Sequence, residues 1–140
     1  MSRDPLTTLL RIRATALDEA KQHVAHALAR EHAAGLRLAD EEAALARETA
    51  AALSPAEDDA RVDAFARWLP VGRRAIAAAL ATQQAANATV DHARAVLTLS
   101  RAAHRSVETL IEKRSVALDL EAGLRLQREF DDLALQPRSS

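Results

Sequence analysis

Residues 71–135 read VGRRAIAAALATQQAANATVDHARAVLTLSRAAHRSVETLIEKRSVALDLEAGLRLQREFDDLAL, with no proline and with glycine only at Gly72 and Gly123. Alanine, leucine, arginine and glutamate dominate, all strong helix formers. Ile76, Val90, Leu97, Ile111 and Leu118 fall on one line of seven-residue spacing, and His104 shares it. Ala79, Ala86, Ala93 and Val107 each follow that line by three residues. This is the a/d pattern of a coiled-coil seam. A single helix over this stretch would extend about 95 Å at ~1.5 Å per residue. A compact domain of this chain's size has no room for it, so a second long helix must pair with it.

The composition agrees. The chain has 140 residues and is 49% hydrophobic, but it holds only two phenylalanines, one tryptophan and no tyrosine. Alanine supplies much of the apolar fraction, whereas globular cores rely on larger side chains. The mixture matches long helices and coiled coils. A net charge of −1, with both signs interspersed, argues against a basic stripe for nucleic acid. Without cysteine there is no disulfide framework and no thiolate chemistry. No apolar run approaches the ~18 residues of a membrane span. Arg11 and Arg13 interrupt any apolar signal core near the N-terminus. The expectation is a cytoplasmic protein with no transmembrane segment.

Upstream, Asp4-Pro5 reads as a helix start, with aspartate as N-cap and proline at the first helical position. Helix 1 is expected over about 5–53. Leu10, Leu17, Val24, Glu31, Leu38 and Leu45 form its seven-residue line, and Ala20, Ala27 and Ala34 fill the companion positions. Gly35 inside it is either a tolerated defect or a point of close approach. Ser54-Pro55 with Glu57 reads as a capping box that starts a new helix at once, with Asp58 and Asp59 suited to its positive end. That helix carries Val62, Phe65, Trp68 and Leu69 at helical spacing. Pro70 and Gly72 then predict a kink or break at 69–72, separating a short helix (about 55–69) from the long one.

The expected fold is therefore all-α. It is one coiled-coil domain: an antiparallel two-helix hairpin with helices about 5–53 and 71–134, an elbow at 54–70 and a frayed tail at 136–140. Alanine at the d-type positions lets the helices approach closely. Each such alanine forgoes roughly 2 kcal/mol of burial relative to leucine. Helix 2 exceeds helix 1, so part of it is expected to overhang. The hairpin would place Leu6–Arg13 beside about 115–130. Leu6, Leu10, Arg11, Arg13, Arg125 and Arg128 would then gather with Arg114, Leu124 and Leu126 at one tip of apolar ridges and arginine forks.

Few residues suggest chemistry. There is no glycine-rich phosphate loop, no Gly-x-Ser-x-Gly and no cysteine, so no catalytic, cofactor or metal site is expected. His23 and His26, with His32 further on, read as exposed or seam-edge histidines rather than metal ligands. His104 reads as an imidazole packed on the seam. Arg101 and Arg105 with Glu108 and Glu112 read as helix-surface charge pairs. Phe65, Trp68 and Leu69 differ, because two of the three aromatics sit within four residues. They are either a plug closing the turn or an anchor for another protein, since tryptophan is a common hot spot.

Three stretches resemble a known family. They are Leu6–Ala20 (LTTLLRIRATALDEA), Phe65–Leu69 (FARWL) with Arg73–Ile76 (RRAI), and Val107–Arg114 (VETLIEKR) running on to Arg125–Ala134 (RLQREFDDLA). Over nearly the whole chain they are similar to the flagellar type III export protein FliJ and its virulence-secretion relative YscO. Asp131-Asp132 stands where the family pattern carries Asp-Glu. The resemblance implies a non-enzymatic, stalk-like coiled coil without cofactors, associated peripherally with the membrane export apparatus. The end bearing both termini would enter the export ATPase ring. The elbow side would contact the export gate membrane protein, with Phe65, Trp68 and Ala75 matching the gate-contacting stripe. Gly72 stands where that stripe carries a larger apolar residue. Export chaperones are a further implied partner. The competing readings are a generic coiled-coil scaffold forming homodimers or bundles, and a small helical enzyme with a His/Glu metal site.

Overall fold

The computed structural model describes residues 4–55 and 59–137. Two helices account for nearly all of them: α1 (Pro5–Ala52) and α2 (Asp59–Leu135). No strand occurs among the described residues. The helices pack on each other as a hairpin. By its internal packing the chain divides into two units, one of residues 18–98 and one of residues up to 17 with those from 99 onward.

The start of α1 follows its sequence. The Leu6 amide donates to Oδ1 of Asp4 at 3.1 Å, and the Thr8 amide donates to the Asp4 carbonyl at 3.2 Å. Asp4 therefore caps the helix and Pro5 opens it. Several serines and threonines inside the helices bond back one turn; for example, Thr49 Oγ1 donates to the Leu45 carbonyl at 2.7 Å. At the far end of α1 the Leu53 amide reaches the Thr49 carbonyl and the Ser54 amide reaches that of Ala51. Pro55 lies in a turn rather than at the first helical position, and α2 is described from Asp59. The expected capping-box partner Glu57, like Asp58, lies outside the described residues.

Of the kink or break expected at 69–72, a break is absent. Helix continues through Pro70 and Gly72, so the separate short helix over about 55–69 becomes the opening turns of α2. Pro70 removes one hydrogen bond and crowds the carbonyl one turn earlier. Ending one helix and starting another would instead orphan up to four carbonyls and four amides. Pro70 and Ala66 are both exposed, so the freed carbonyl faces the solvent side. The strongly helical sequence after Gly72 makes continuation the smaller penalty.

In the unit of residues 18–98, Ala27, Val90 and Ala93 form a buried cluster with Val24 packed against it. Further along α1, Gly35 faces Gln83, and Ala51 and Ala52 face Ala64 and Phe65. Partners on α2 recede as α1 advances, so the helices run antiparallel. Ala20, Ala27 and Ala34 are buried as the seam pattern requires, and Leu10, Leu17, Val24, Leu38 and Leu45 are half-buried beside them. Among the described residues, the buried side chains of the seam are all alanine or valine. Gly35 is a tolerated defect: an added Cβ would meet Gln83 Nε2 at 3.7 Å, an ordinary contact.

In the other unit, Nη1 of Arg114 donates to Oδ1 of Asp4 at 2.8 Å. Val107 is buried and Ile111 half-buried, but every described residue from Glu112 to Pro137 is exposed. The start of α1 thus lies beside Arg114, and α2 runs on without it.

Candidate functional site

Two surfaces concentrate the residues singled out in the sequence. The first lies where α1 ends and α2 begins. Phe65 and Trp68 are one turn apart on α2, with ring centroids 6.2 Å apart and planes tilted by 31°. Both are half-buried, as are Leu69 and Ala75. With Ala64 of α2 and Ala51 and Ala52 of α1 the two rings line a crevice of about 390 Å³, and Glu48 stands at its margin. Small residues on α1 opposite large ones on α2 leave this space. The aromatics therefore pack at the turn and still present surface. Gly72 is buried although Val71 and Arg73 on either side are exposed. The Trp68 ring covers it: a Cβ on Gly72 would stand 2.6 Å from Cη2 and 2.9 Å from Cζ2 and Cζ3. The side chain missing at position 72 is thus replaced by the indole from one turn earlier.

The second surface is at the other unit, and here the sequence expectation needs correcting. Leu6 and Leu10 are half-buried, whereas Arg11 and Arg13 are exposed. Because Asp4 pairs with Arg114, Leu6–Arg13 lies beside the part of α2 that precedes Arg114, not beside 115–130. Arg125 and Arg128 lie eleven and fourteen residues past that pair, roughly 16 and 21 Å along the helix. They do not share a tip with Arg11 and Arg13. Arg125 sits 3.5 Å from Glu121 on the same helix, with both side chains about two-thirds exposed.

This unaccompanied end of α2 has its own pattern. The seam lines continue past Ile111 as Arg114, Glu121 and Arg128, and as Leu118, Arg125 and Asp132, so the face that met α1 becomes mainly charged. The apolar residues move to another face, where Val116, Leu120 and Leu124 recur every four residues around Gly123 and bound a shallow groove of about 500 Å³. All three are more than half exposed, and Leu126, Phe130 and Leu133 are exposed close by. Heptad counting carried Leu118 along the seam; it is exposed because α1 starts beside Arg114.

The Asp4 carboxyl is held below the usual carboxylate range, first by the Arg114 hydrogen bond and then by the Leu6 amide. Glu108 has His104 as a partner, with Nδ1 2.8 Å from Oε1, and His104 is half-buried on the seam. The sequence reading missed one grouping. His92 of α2 comes beside His23 and His26 of α1, around a crevice of about 570 Å³ that Arg30 and Val96 also line. The antiparallel register that puts Ala27 beside Ala93 brings these histidines together. Among the described residues, no three histidine, aspartate or glutamate side chains are placed to hold a metal ion. No described helix is long and apolar enough to cross a membrane.

A family model described as Flagellar FliJ protein matches residues 1–138. No curated protein and no solved structure matches the chain.

Proposed function

The chain belongs to the flagellar FliJ family of export components, and on that premise we propose that it is a non-enzymatic stalk linking an export ATPase ring to the export gate. The ring-engaging element is the end of α2 beyond Arg114. The elbow surface of Phe65, Trp68, Leu69 and Ala75 engages the gate membrane protein. The protein works in the cytoplasm, associates peripherally with the export apparatus and escorts export chaperones.

The observation that carries this reading is the exposure of every described residue from Glu112 onward, on a helix rich in leucine and arginine. A single helix about 10–12 Å across is slim enough to enter a central ring opening. Its leucines would meet apolar parts of the wall, while Arg125 and Arg128 would meet carboxylates. Leu6, Leu10, Arg11 and Arg13 lie further back and would form the collar at the mouth. The solvated alternative, charges pairing only among themselves as Arg125 does with Glu121, contributes about 0–1 kcal/mol per pair and needs no partner.

Steady-state ATP hydrolysis by the purified ring tests the proposal. Wild-type protein should stimulate it, and the stimulation should weaken with salt, since these charges are exposed and screened. Arg125→Glu with Arg128→Glu should abolish stimulation, whereas Arg11→Glu with Arg13→Glu should reduce it only in part. Equal stimulation by wild type and the Arg125/Arg128 variant would reject the helix end as an electrostatic contact. A scaffold that self-associates through Val116, Leu120 and Leu124 is the second reading, favoured by their exposure. Sedimentation equilibrium separates the two: a stable homodimer that leaves the ring unaffected would select the scaffold.

A further inference from the structure

Trp68 is held by an absence. The near-equal distances from the Gly72 Cβ position to three consecutive ring carbons, Cζ2, Cη2 and Cζ3, put that position over the face of the indole rather than off its edge. All three atoms belong to the six-membered ring. On a helix, the Cβ at one position points back toward the residue one turn earlier. Any side chain at 72 would therefore rise into the space that the indole fills. Glycine is a poor helix former, and here it stands inside a helix, two residues after a proline. Its buried backbone, covered by the ring, is the local compensation.

We propose that Gly72 is a positioning residue for the elbow contact. Its missing Cβ lets the Trp68 indole lie flat along α2, and this orientation sets the aromatic wall presented to the gate component. The proposal rests on the elbow reading given under Proposed function. With one ring face laid on the helix, the rest of the indole lines the crevice with Phe65, Ala51 and Ala52. One large side chain then covers two successive turns of the stripe. A methyl group at 72 would lift the ring and reshape that wall without removing any group that a partner touches.

The chain's single tryptophan makes the test direct. Gly72→Ala should shift the emission of Trp68 and raise its quenching by acrylamide. Circular dichroism should show helix content kept, because alanine is the better helix former. Binding to the purified cytoplasmic domain of the gate component should weaken at least tenfold. A merely structural role for Gly72 would not depend on the ring at 68, so the decisive measurement is a double-mutant comparison. Phenylalanine lacks the three carbons that meet the Cβ position. On a Trp68→Phe background, Gly72→Ala should therefore change affinity less than twofold. Unchanged emission and quenching in Gly72→Ala would overturn the proposal, as would tenfold weakening on both backgrounds or on neither. If wild-type protein fails to bind the gate domain, the elbow reading falls and this proposal with it. If wild type binds and Trp68→Ala binds equally well, the aromatic anchor is wrong even where the fluorescence arm succeeds.

Discussion

Oδ1 of Asp4 accepts from the Leu6 amide at 3.1 Å and from Nη1 of Arg114 at 2.8 Å. One oxygen thus caps α1 and fixes where α1 begins along α2. Both bonds favour the charged carboxylate, so the folded-state pKa lies below its ordinary value of 3.8. The sign follows from linkage: a depressed folded pKa gives stability that is present above the ordinary value and lost as pH falls through the folded one. Below about pH 4, acid should therefore loosen this end of α1, with faster amide exchange at Leu6 and Thr8. A chemical-shift titration of the Asp4 carboxyl should show the depression. Arg114→Gln should return most of it while keeping the cap, since the arginine bond is the larger cause. An Asp4 carboxyl that titrates at its ordinary position in the wild type would show that the Arg114 pair does not persist in solution.

At the level of the elements, the seam was legible because period-seven lines depend only on helix geometry. The line from Leu10 to Leu45 with Ala20, Ala27 and Ala34, and on α2 Val90 with the companion positions Ala79, Ala93 and Val107, turn inward as read. Other features were not legible. Proline's local preference suggested a kink or break at 69–72, and helix on both sides outweighs one lost bond, so no break occurs. Where α1 stops covering α2 is set by the register of pairing, and no heptad count contains it. The crevice of His23, His26 and His92 was hidden for the same reason, whereas the cover that Trp68 gives Gly72 depends on how the indole lies along its own helix, which spacing does not contain. Gly123 shows what lack of cover means for an element. An added Cβ there meets nothing within 4 Å, so in the free protein only helix propensity counts, and alanine should gain about 1 kcal/mol locally. Gly123→Ala should slow amide exchange over about 116–132 and leave the hairpin's melting unchanged. No change in that exchange would mean that this segment does not open around Gly123. A loss of ATPase stimulation in the same variant would identify Gly123 as a point of close approach to the ring.

For the molecule as a whole, the buried seam and the unaccompanied end of α2 are drawn from different stretches of chain. The fully buried side chains run no further along α2 than Val107, whereas Val116, Leu118, Leu120, Leu124, Leu126 and Phe130 are all more than half exposed. The stretch past Arg114 therefore contributes little to the stability of the pairing it extends from. Its charges are arranged within itself, as Glu121 and Arg125 show. A chain ending at Ser115 keeps the Asp4–Arg114 pair, the alanine seam and the elbow crevice. It should melt within ~2 °C of the full chain, since a change of 1 kcal/mol corresponds to a shift of roughly 2–8 °C depending on size. It should bind the gate domain with undiminished affinity and fail to stimulate the ATPase. Melting is followed by circular dichroism, gate binding by calorimetry and stimulation by ATP hydrolysis, all on the same preparation. A fall in melting temperature beyond ~5 °C would mean that the helix end packs on the hairpin. Retained stimulation would instead move the ring contact to the collar of Leu6, Leu10, Arg11 and Arg13, where reversing Arg11 and Arg13 would then carry the full loss.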